Sequence, residues 1–438
     1  MKKMIGISLA MAWLGLIPGI TVSGCGGEGP VEPIAQPDNP EGKDDSSRPW
    51  WCFPPFCRAP ENNEKSGESI YKASRAQLTH ALTQTPDGGY VLVGESALTN
   101  NDFMALFALK VDARGNKQWI RNFDGKGEDA AHDLVALDDG SVVIVGNSEV
   151  VQGESGGDYD AIEGRIIQLD PSGNTVWDRL VGMERHDELR SIARTPDGGL
   201  VALGFTHAVG DGDFFLVKLD AAGQILWTRT LGGPDGTDVG KSVKVLKDGG
   251  LVLGGTRLQE GKMRAFVIHT DAAGNELGAY TYGDPTRDVS LEDLTLTRDG
   301  GVVLAGYVAT NFFDAPDRAG WVSRIELSGQ TLWTKEIGGE VWDHFASAAP
   351  TSDGGIILAG QTRSIGHPGA LVNDVLLVKL ASDGTLQWRK AKGDGYDNYA
   401  DCVVQNTQGD FAVGATTMSG LLNFFDVYLL RLAPTGDL

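Results

Sequence analysis

The chain carries seven histidines, and two of them occupy matching places in neighbouring repeats. His80 and His132 each lie seven residues before the aspartate of a tight turn, Asp87 or Asp139. A pair of imidazoles could bind a metal ion, or both could be hydrogen-bonded members of a polar rim. The sequence contains no His-Glu-x-x-His motif and no EF-hand loop, so both interpretations stay open at this point.

Aspartates form a second recurring set, ahead of the first strand in six repeats: Asp129, Asp187, Asp238, Asp288, Asp343 and Asp397. Such carboxylates could form a ring that binds Ca²⁺, or each could accept hydrogen bonds from backbone N–H groups at a turn. Repetition favours the second interpretation, because a ligand site is normally unique whereas a scaffold repeats. The chain has 59 acidic residues, and no pair of them stands out as a glycosidase dyad.

Aromatic residues at positions that the repeats do not require form a third set. They could be stacking surfaces for a sugar or anchors for a protein partner, or they could pack loops against one another. Trp342 with His344, and Tyr396 with Tyr399, are the most suggestive pairs. The candidate binding residues are therefore Phe312, Phe313, Trp342, His344, Tyr396, Tyr399, Phe424 and Phe425.

A repeated pattern must position these residues. A turn followed by an apolar strand that ends in glycine, Asp87-Gly88-Gly89-Tyr90-Val91-Leu92-Val93-Gly94, recurs from Asp139, Asp197, Asp248, Asp299 and Asp353, and in degraded form from Gln408. The spacing is 51 to 58 residues. A second motif, Asp-x-x-Gly, is followed by Trp119, Trp177, Trp227, Trp333 or Trp388, whereas Gly278 holds the Trp position in the fourth repeat.

Each repeat predicts four antiparallel strands, which in the third repeat cover 189–195, 200–205, 214–219 and 225–231. Four strands at this period form the blade of a β-propeller. Seven repeats begin, but the last lacks a fourth strand, and the segment 69–72 precedes the first repeat without a partner. Pairing the two removes exposed edges. The sequence therefore predicts an all-β, seven-bladed β-propeller whose ring is closed by the N-terminal strand.

The motifs resemble known families. Asp213-Phe214-Phe215-Leu216-Val217-Lys218-Leu219, the following Asp-x-x-Gly and Trp227 resemble the SBBP-type propeller repeats of bacterial surface proteins and, more distantly, kelch repeats. The resemblance covers about residues 67–438. It implies that the first strand of each blade is innermost and that the Trp strand is outermost, where we expect the tryptophans to be buried and structural. It does not imply an activity, because propellers serve many functions.

The two ends of each blade differ. Asp-Gly-Gly and Asp-x-x-Gly turns join strands one to two and three to four, and we call that end the tight-turn face. The connections from strand two to three and from one blade to the next are longer and differ in every repeat; they form the variable-loop face. Function on a repeat scaffold usually lies on variable loops, so we expect binding there.

The N-terminus predicts export. Lys2 and Lys3 precede an apolar run, which is typical of a secretion signal. Val22-Ser23-Gly24-Cys25 resembles the lipobox of bacterial lipoproteins, which implies cleavage before Cys25 and lipidation of its thiol. An uncleaved membrane anchor and an ordinary secretion signal are the alternatives. The resemblance implies a lipid anchor in the cell envelope, at the outer membrane or the cell surface.

The segment between the signal and the repeats is rich in Pro, Gly, Asp and Glu, a composition that is typical of a tether. Cys52 and Cys57 within it predict a small disulfide loop in an exported chain, and a zinc site is the alternative. Cys402 falls in an apolar strand and is expected to be buried. The predicted organisation is a signal at 1–24, a lipidated tether at 25–66 and a propeller at 67–438.

The net charge of −22 argues against nucleic acid as a partner. We expect a monomeric, non-enzymatic binding or interaction module of the cell envelope that takes an unidentified protein or glycan ligand. We expect no cofactor unless the aspartates bind Ca²⁺. The alternative is an envelope enzyme, a glycan hydrolase or lyase, with its site at the top of the propeller channel. A third hypothesis is a structural surface protein without a small ligand.

Overall fold

The computed structural model describes residues 63–438 except 66, 73–75, 98–103, 124–126, 151–160, 184–185, 209–211, 234–235, 311–316, 340, 367–371 and 420–423. Every regular element in this part of the chain is a β-strand. No helix within it could cross a membrane. The predicted signal, Cys25, Cys52 and Cys57 lie outside the described residues.

The strands form seven antiparallel sheets. Blade one contains β3 (Gln77–Gln84), β4 (Tyr90–Ser96), β5 (Ala105–Val111) and β6 (Lys117–Phe123). Blade two contains β7 (Asp129–Ala136), β8 (Val142–Val150), β9 (Ala161–Leu169) and β10 (Thr175–Val181). Blade three contains β11 (Asp187–Arg194), β12 (Leu200–Thr206), β13 (Asp213–Leu219) and β14 (Ile225–Leu231). Blade four contains β15 (Asp238–Val245), β16 (Leu251–Gln259), β17 (Lys262–Thr270) and β18 (Glu276–Tyr282).

The remaining three blades continue the pattern. Blade five contains β19 (Asp288–Leu296), β20 (Val302–Ala309), β21 (Ala319–Ile325) and β22 (Thr331–Ile337). Blade six contains β23 (Asp343–Pro350), β24 (Ile356–Thr362), β25 (Asp374–Leu380) and β26 (Leu386–Lys392). Blade seven joins β27 (Asn398–Gln405), β28 (Phe411–Ser419) and β29 (Phe424–Leu432) to β2 (Glu68–Tyr71), with β1 (Asn63–Lys65) added at its edge.

The ring closes through blade seven, as predicted. Ile70 of β2 pairs with Tyr428 of β29 in antiparallel register. The first strands of neighbouring blades contact one another around the whole ring, including β27 with β3, so they are innermost. Apolar strand residues form seven core clusters, each shared by two neighbouring blades. The prediction of a closed seven-bladed propeller is confirmed.

An aromatic residue on the outermost strand of each blade packs against the next blade. A Cβ atom added to Gly223, whose φ is +73°, would lie 2.4 Å from Cζ2 of Trp177 on the preceding blade. Only glycine fits there, and the other tryptophans meet equivalent glycines in the same way. The tryptophans are half-buried, less than the sequence led us to expect, because one side of the outer strand faces solvent.

Two blades lack the tryptophan and replace it differently. In blade four, where Gly278 holds that position, Tyr280 lies against Gly329 instead. In blade seven, Tyr71 of the N-terminal strand donates from its hydroxyl to the Gly115 carbonyl at 2.5 Å. The interblade contact is therefore kept in both places, and in blade seven the closing strand supplies it.

One loop expectation is wrong. The connection between β16 and β17 is not long but a two-residue turn, in which Gln259 pairs with Lys262. Glu260 (φ 51°) and Gly261 (φ 74°) form it, and both lie in the left-handed region that such hairpin turns require. Blade four therefore contributes little to the variable-loop face.

Candidate functional site

Trp342 lies between two arginines on the variable-loop face. The guanidinium carbon of Arg318 is 4.6 Å from the Trp342 ring centroid, and that of Arg363 is 4.5 Å from it. Arg318 ends the connection from β20 to β21, Trp342 ends the connection from β22 to β23, and Arg363 follows β24. Three separate connections of blades five and six thus meet at one half-buried indole. We call Arg318, Trp342 and Arg363 the arginine–tryptophan stack.

A buried polar cluster lies next to the stack. Arg318 is 4.0 Å from the ring of Tyr307, and the Tyr307 ring lies 5.9 Å from that of His344. His344 is 1% exposed and its Nδ1 accepts a hydrogen bond from the Gln361 amide at 2.9 Å. Burial, followed by the positive charge of Arg318, lowers the pKa of His344 to about 3. His344 is therefore a neutral supporting residue.

A third group connects the stack to blade seven. Nε of Arg363 donates to Oδ1 of Asn373 at 3.0 Å. The Asn373 side chain donates in turn to Oδ1 of Asp397 at 2.7 Å. Tyr399 and Phe425 have ring centroids 6.3 Å apart, and burial raises the pKa of Tyr399 to about 12. Predicted residues from the loops of blades six and seven are thus brought to the same region of the face.

The other predicted binding residues are placed as follows. Tyr396 is 46% exposed, so its ring is open to solvent. Phe424 begins β29, but its side chain is not among those described. Phe312 and Phe313 lie outside the described residues.

The innermost strands carry a polar ring. In every blade the position seven residues before the turn aspartate, or before Gln408 in blade seven, is a β-bulge, for example between Thr79 and Ala81 or between Leu291 and Asp293. A bulge turns the extra residue out of the regular alternation. The seven bulge residues are His80, His132, Arg190, Lys241, Glu292, Ala346 and Asp401.

Most charged members of this ring have partners. Nζ of Lys241 is 3.0 Å from Oε2 of Glu292. Glu188, which is 4% exposed, contacts both Arg190 and His186. Burial opposes ionisation of Glu188, but Arg190, His186 and His132 together outweigh it and hold the pKa of that carboxyl well below its usual range. These groups mainly neutralise one another.

His80 and His132 do come together, with ring centroids 5.8 Å apart. His132 Nε2 lies 2.7 Å from Oδ1 of Asn147, and His80 Nε2 lies 3.5 Å from Oε1 of Glu95. Each ring therefore has its own polar partner, as the polar-rim interpretation predicts. In the part of the chain that the structure describes, no three His, Cys, Asp or Glu side chains are arranged to hold a metal ion.

Asp401 is the least neutralised member of the ring. Burial raises its pKa to about 7, and the neighbouring His80 lowers it only in part. Burial would lower the pKa of His80, but Glu95 and Asp401 together raise it. These shifts make Asp401 and His80 the members of the ring that best match an acid–base group.

The recurrent aspartates accept backbone hydrogen bonds. Met183 N donates to Asp187, Met263 N to Asp288 and Gly339 N to Asp343, each at 2.7 Å. Asp238 is paired with Arg257 at 2.6 Å. These contacts are the ones that the capping interpretation predicts, and they occupy oxygens that a Ca²⁺ site would need.

The sequence did not single out Arg318, Arg363, Tyr307 or Asp401. Their types are common in loops and strands, and no spacing links Arg318 to Arg363. Gly153-Glu154-Ser155-Gly156-Gly157 matches the letters of a nucleophile elbow, which needs a strand-to-helix turn. That segment is outside the described residues and connects two strands of one antiparallel sheet, β8 and β9.

Comparisons with known proteins show the fold alone. No protein-family model and no curated protein sequence matches the chain. The crystal structure of polysaccharide lyase Uly1 is similar, with a TM-score of 0.53 and 12% identity over 86% of this chain and 94% of that one. A protein of unknown function from Dyadobacter fermentans DSM 18053 is also similar, with a TM-score of 0.50 and 12% identity over 84% of this chain and 98% of that one.

Proposed function

We propose that the chain is an exported lipoprotein, anchored in the cell envelope through Cys25, whose propeller binds a ligand on the variable-loop face without transforming it. The arginine–tryptophan stack is the observation that carries this proposal. It brings together side chains from three connections of two blades. It also departs from the repeated pattern, as a unique ligand site must. Tryptophan and arginine are also the residues that most often dominate binding energy.

The pairing of the buried charges supports binding rather than catalysis. Lys241 with Glu292, and Glu188 with Arg190, neutralise each other inside the ring. A catalytic group must instead keep a site open for the atom on which it acts. The described face offers adaptable, half-buried aromatic and cationic groups, which suit recognition.

A binding screen tests the proposal. The full chain in detergent solution is titrated with a panel of neutral and acidic oligosaccharides and with envelope proteins. Trp342→Ala should weaken the ligand so found by at least about tenfold, the usual size of a binding hot spot. Arg194→Ala is the matched control, because Arg194 is paired with Asp138 near the tight-turn face. If Arg194→Ala weakens binding and Trp342→Ala does not, the wrong face has been assigned.

An envelope enzyme acting on glycans is the second candidate. The His80–Asp401 pair, with its shifted pKa values, favours it, and the similar polysaccharide lyase shows that a related fold can carry such an activity. The test is product formation: each bound oligosaccharide is incubated with the chain and followed by mass spectrometry. Cleavage that is lost in Asp401→Asn and kept in Asp138→Asn, near the tight-turn face, would replace the binding proposal with this one.

A further inference from the structure

Six of the described arginines form ion pairs with carboxylates: Arg165, Arg190, Arg194, Arg257, Arg287 and Arg324. Arg165, Arg257 and Arg287 are typical, each within 3.3 Å of an aspartate or glutamate oxygen. This is expected of a chain with a net charge of −22, in which acids greatly outnumber bases. Other arginines, such as Arg121 and Arg264, donate to backbone carbonyl oxygens instead, so pairing with a carboxylate is not general among the described arginines.

Arg363 is held by neutral groups. Its side chain donates from Nε to the Asn373 amide oxygen at 3.0 Å and lies over the Trp342 ring. Neither group cancels its charge. Asp397 is kept one step away, because Asn373 lies between the two and bonds to both. The guanidinium is thus positioned through Nε, and its other N–H groups can donate to a ligand.

Arg318 brings a second positive charge to the same indole. Burial lowers the pKa of Arg318, Tyr307 and Glu292 raise it in part, and the charge of Arg363 lowers it. The two cations therefore repel each other, and the attraction of each to the Trp342 ring offsets part of that repulsion. An anion that accepts hydrogen bonds from both would remove the repulsion. Planar guanidinium groups match carboxylate and sulfate oxygens in pairs.

Trp342 then has a different role from the one its type suggests. Two guanidinium groups lie within 4.6 Å of its ring centroid, so the ring holds the arginines in place rather than stacking on a sugar. The aromatic surface left for a sugar is on blade seven, where Tyr396 is 46% exposed and Tyr399 pairs with Phe425.

We propose that the variable-loop face recognises an acidic sugar, whose carboxylate or sulfate group binds between Arg318 and Arg363 while its ring lies toward Tyr396 and Tyr399. This inference rests on the proposed binding function and names its ligand class. An acidic sugar fits better than an acidic peptide, because its charge is fixed rigidly to a ring with an apolar C–H face. A single residue can then meet the arginines and the aromatic surface together.

The experiment uses the full chain in detergent solution and a galacturonate tetramer as the probe. The control ligand is the same tetramer as its methyl ester, which keeps every sugar ring and removes the charge. A sulfated neutral tetramer and a tetraglutamate peptide are titrated alongside, so that carboxylate, sulfate and peptide sources are distinguished. We expect at least tenfold tighter binding of the acidic or the sulfated sugar than of the ester and the peptide.

Variants locate the anion. Arg363→Gln should weaken the preferred charged sugar at least tenfold and leave the ester unchanged. Arg363→Lys keeps the charge but loses the paired donors, so it should weaken binding of the charged sugar less than Arg363→Gln does. Arg194→Gln, at a carboxylate-paired arginine 41% exposed, should have no effect. Thermal unfolding of each variant excludes loss of fold as the cause.

The outcomes separate this inference from the proposed function. Equal binding of acid and ester, lost in Tyr399→Ala but kept in Arg363→Gln, overturns the anionic ligand and leaves the binding function standing. Tighter binding of the peptide than of either charged sugar overturns the sugar class. If no charged probe binds, the inference is wrong, and the proposed function fails as well only if the neutral oligosaccharides and envelope proteins also fail to bind.

Discussion

Gly223→Ala tests whether the blades are held together by an aromatic residue against a turn glycine. Gly223 has φ +73°, and an added Cβ would lie 2.4 Å from Cζ2 of Trp177. The left-handed conformation alone costs an alanine roughly 1–2 kcal/mol. The clash with a packed ring adds about 1–3 kcal/mol. We therefore expect the free energy of unfolding to fall by about 2–5 kcal/mol.

Gly198 provides a matched control within the same blade. Its φ is +81°, but an added Cβ would meet nothing within 4 Å. Gly198→Ala should therefore show only the conformational cost, roughly 1–2 kcal/mol. Removing the ring should also remove the clash, so in a Trp177→Ala background Gly223→Ala should cost no more than Gly198→Ala does.

Urea unfolding of the four variants and the parent, followed by tryptophan fluorescence and by circular dichroism, measures these differences. The double-mutant cycle isolates the coupling between Gly223 and Trp177. Equal destabilisation by Gly223→Ala and Gly198→Ala, or a Gly223→Ala effect that Trp177→Ala does not change, would refute the reasoning. The interblade contact would then be incidental to the stability of the ring.

Four further predictions follow from the fold and its charges. Trp227→Ala should cost about 2–3 kcal/mol in urea, from half of the ~200 Å² that a buried tryptophan covers, whereas Leu226→Ala, at a residue 55% exposed, should cost under ~0.5 kcal/mol. Deleting 68–73 should lower stability by at least about 3 kcal/mol, the usual loss for one buried aromatic, because Tyr71 and the closing strand go with it; a parent-like thermal midpoint would contradict the closure. Asp401 has a folded pKa of about 7, above its unfolded value, so the folded state binds the extra proton and stability should fall as pH rises from about 4 to 7; Asp401→Asn should flatten this slope in pH-dependent unfolding, and an unchanged slope would contradict it. Cys25→Ser should abolish membrane fractionation, and mass spectrometry of the parent should show an acylated Cys25; an unmodified thiol would end the lipoprotein proposal.

The fold could be predicted because the same turn and strand pattern repeats along the chain. Tight turns such as Asp197-Gly198-Gly199 and apolar strands recur in every blade, and five of the seven outermost strands carry a tryptophan, because every blade must pack against its neighbours in the same way. The orphan segment before the first repeat and the missing last strand then required closure by the N-terminus. The structure corrects only details, such as the short turn at Glu260–Gly261, where a local hairpin replaces a long loop.

The candidate site was predicted only in part. Trp342, His344 and Tyr399 stood out because they break the repeat, and all three lie on the variable-loop face. Their roles could not be predicted from the sequence, because the type of a residue does not show which side chains will surround it. His344 proves to be buried and neutral, and Trp342 supports arginines.

The sequence by itself determined the seven repeats, the closing strand and the end of the propeller that varies, since these depend on turn chemistry and hydrophobic alternation along the chain. Only the tertiary structure decided that Arg318 and Arg363, 45 residues apart in sequence, meet at one indole, and that Asp401 faces His80 across the closure of the ring. Contacts of that kind depend on the circular order of the blades. Residues distant in sequence become neighbours there, and their charges, partners and pKa values are set by groups that no local pattern contains.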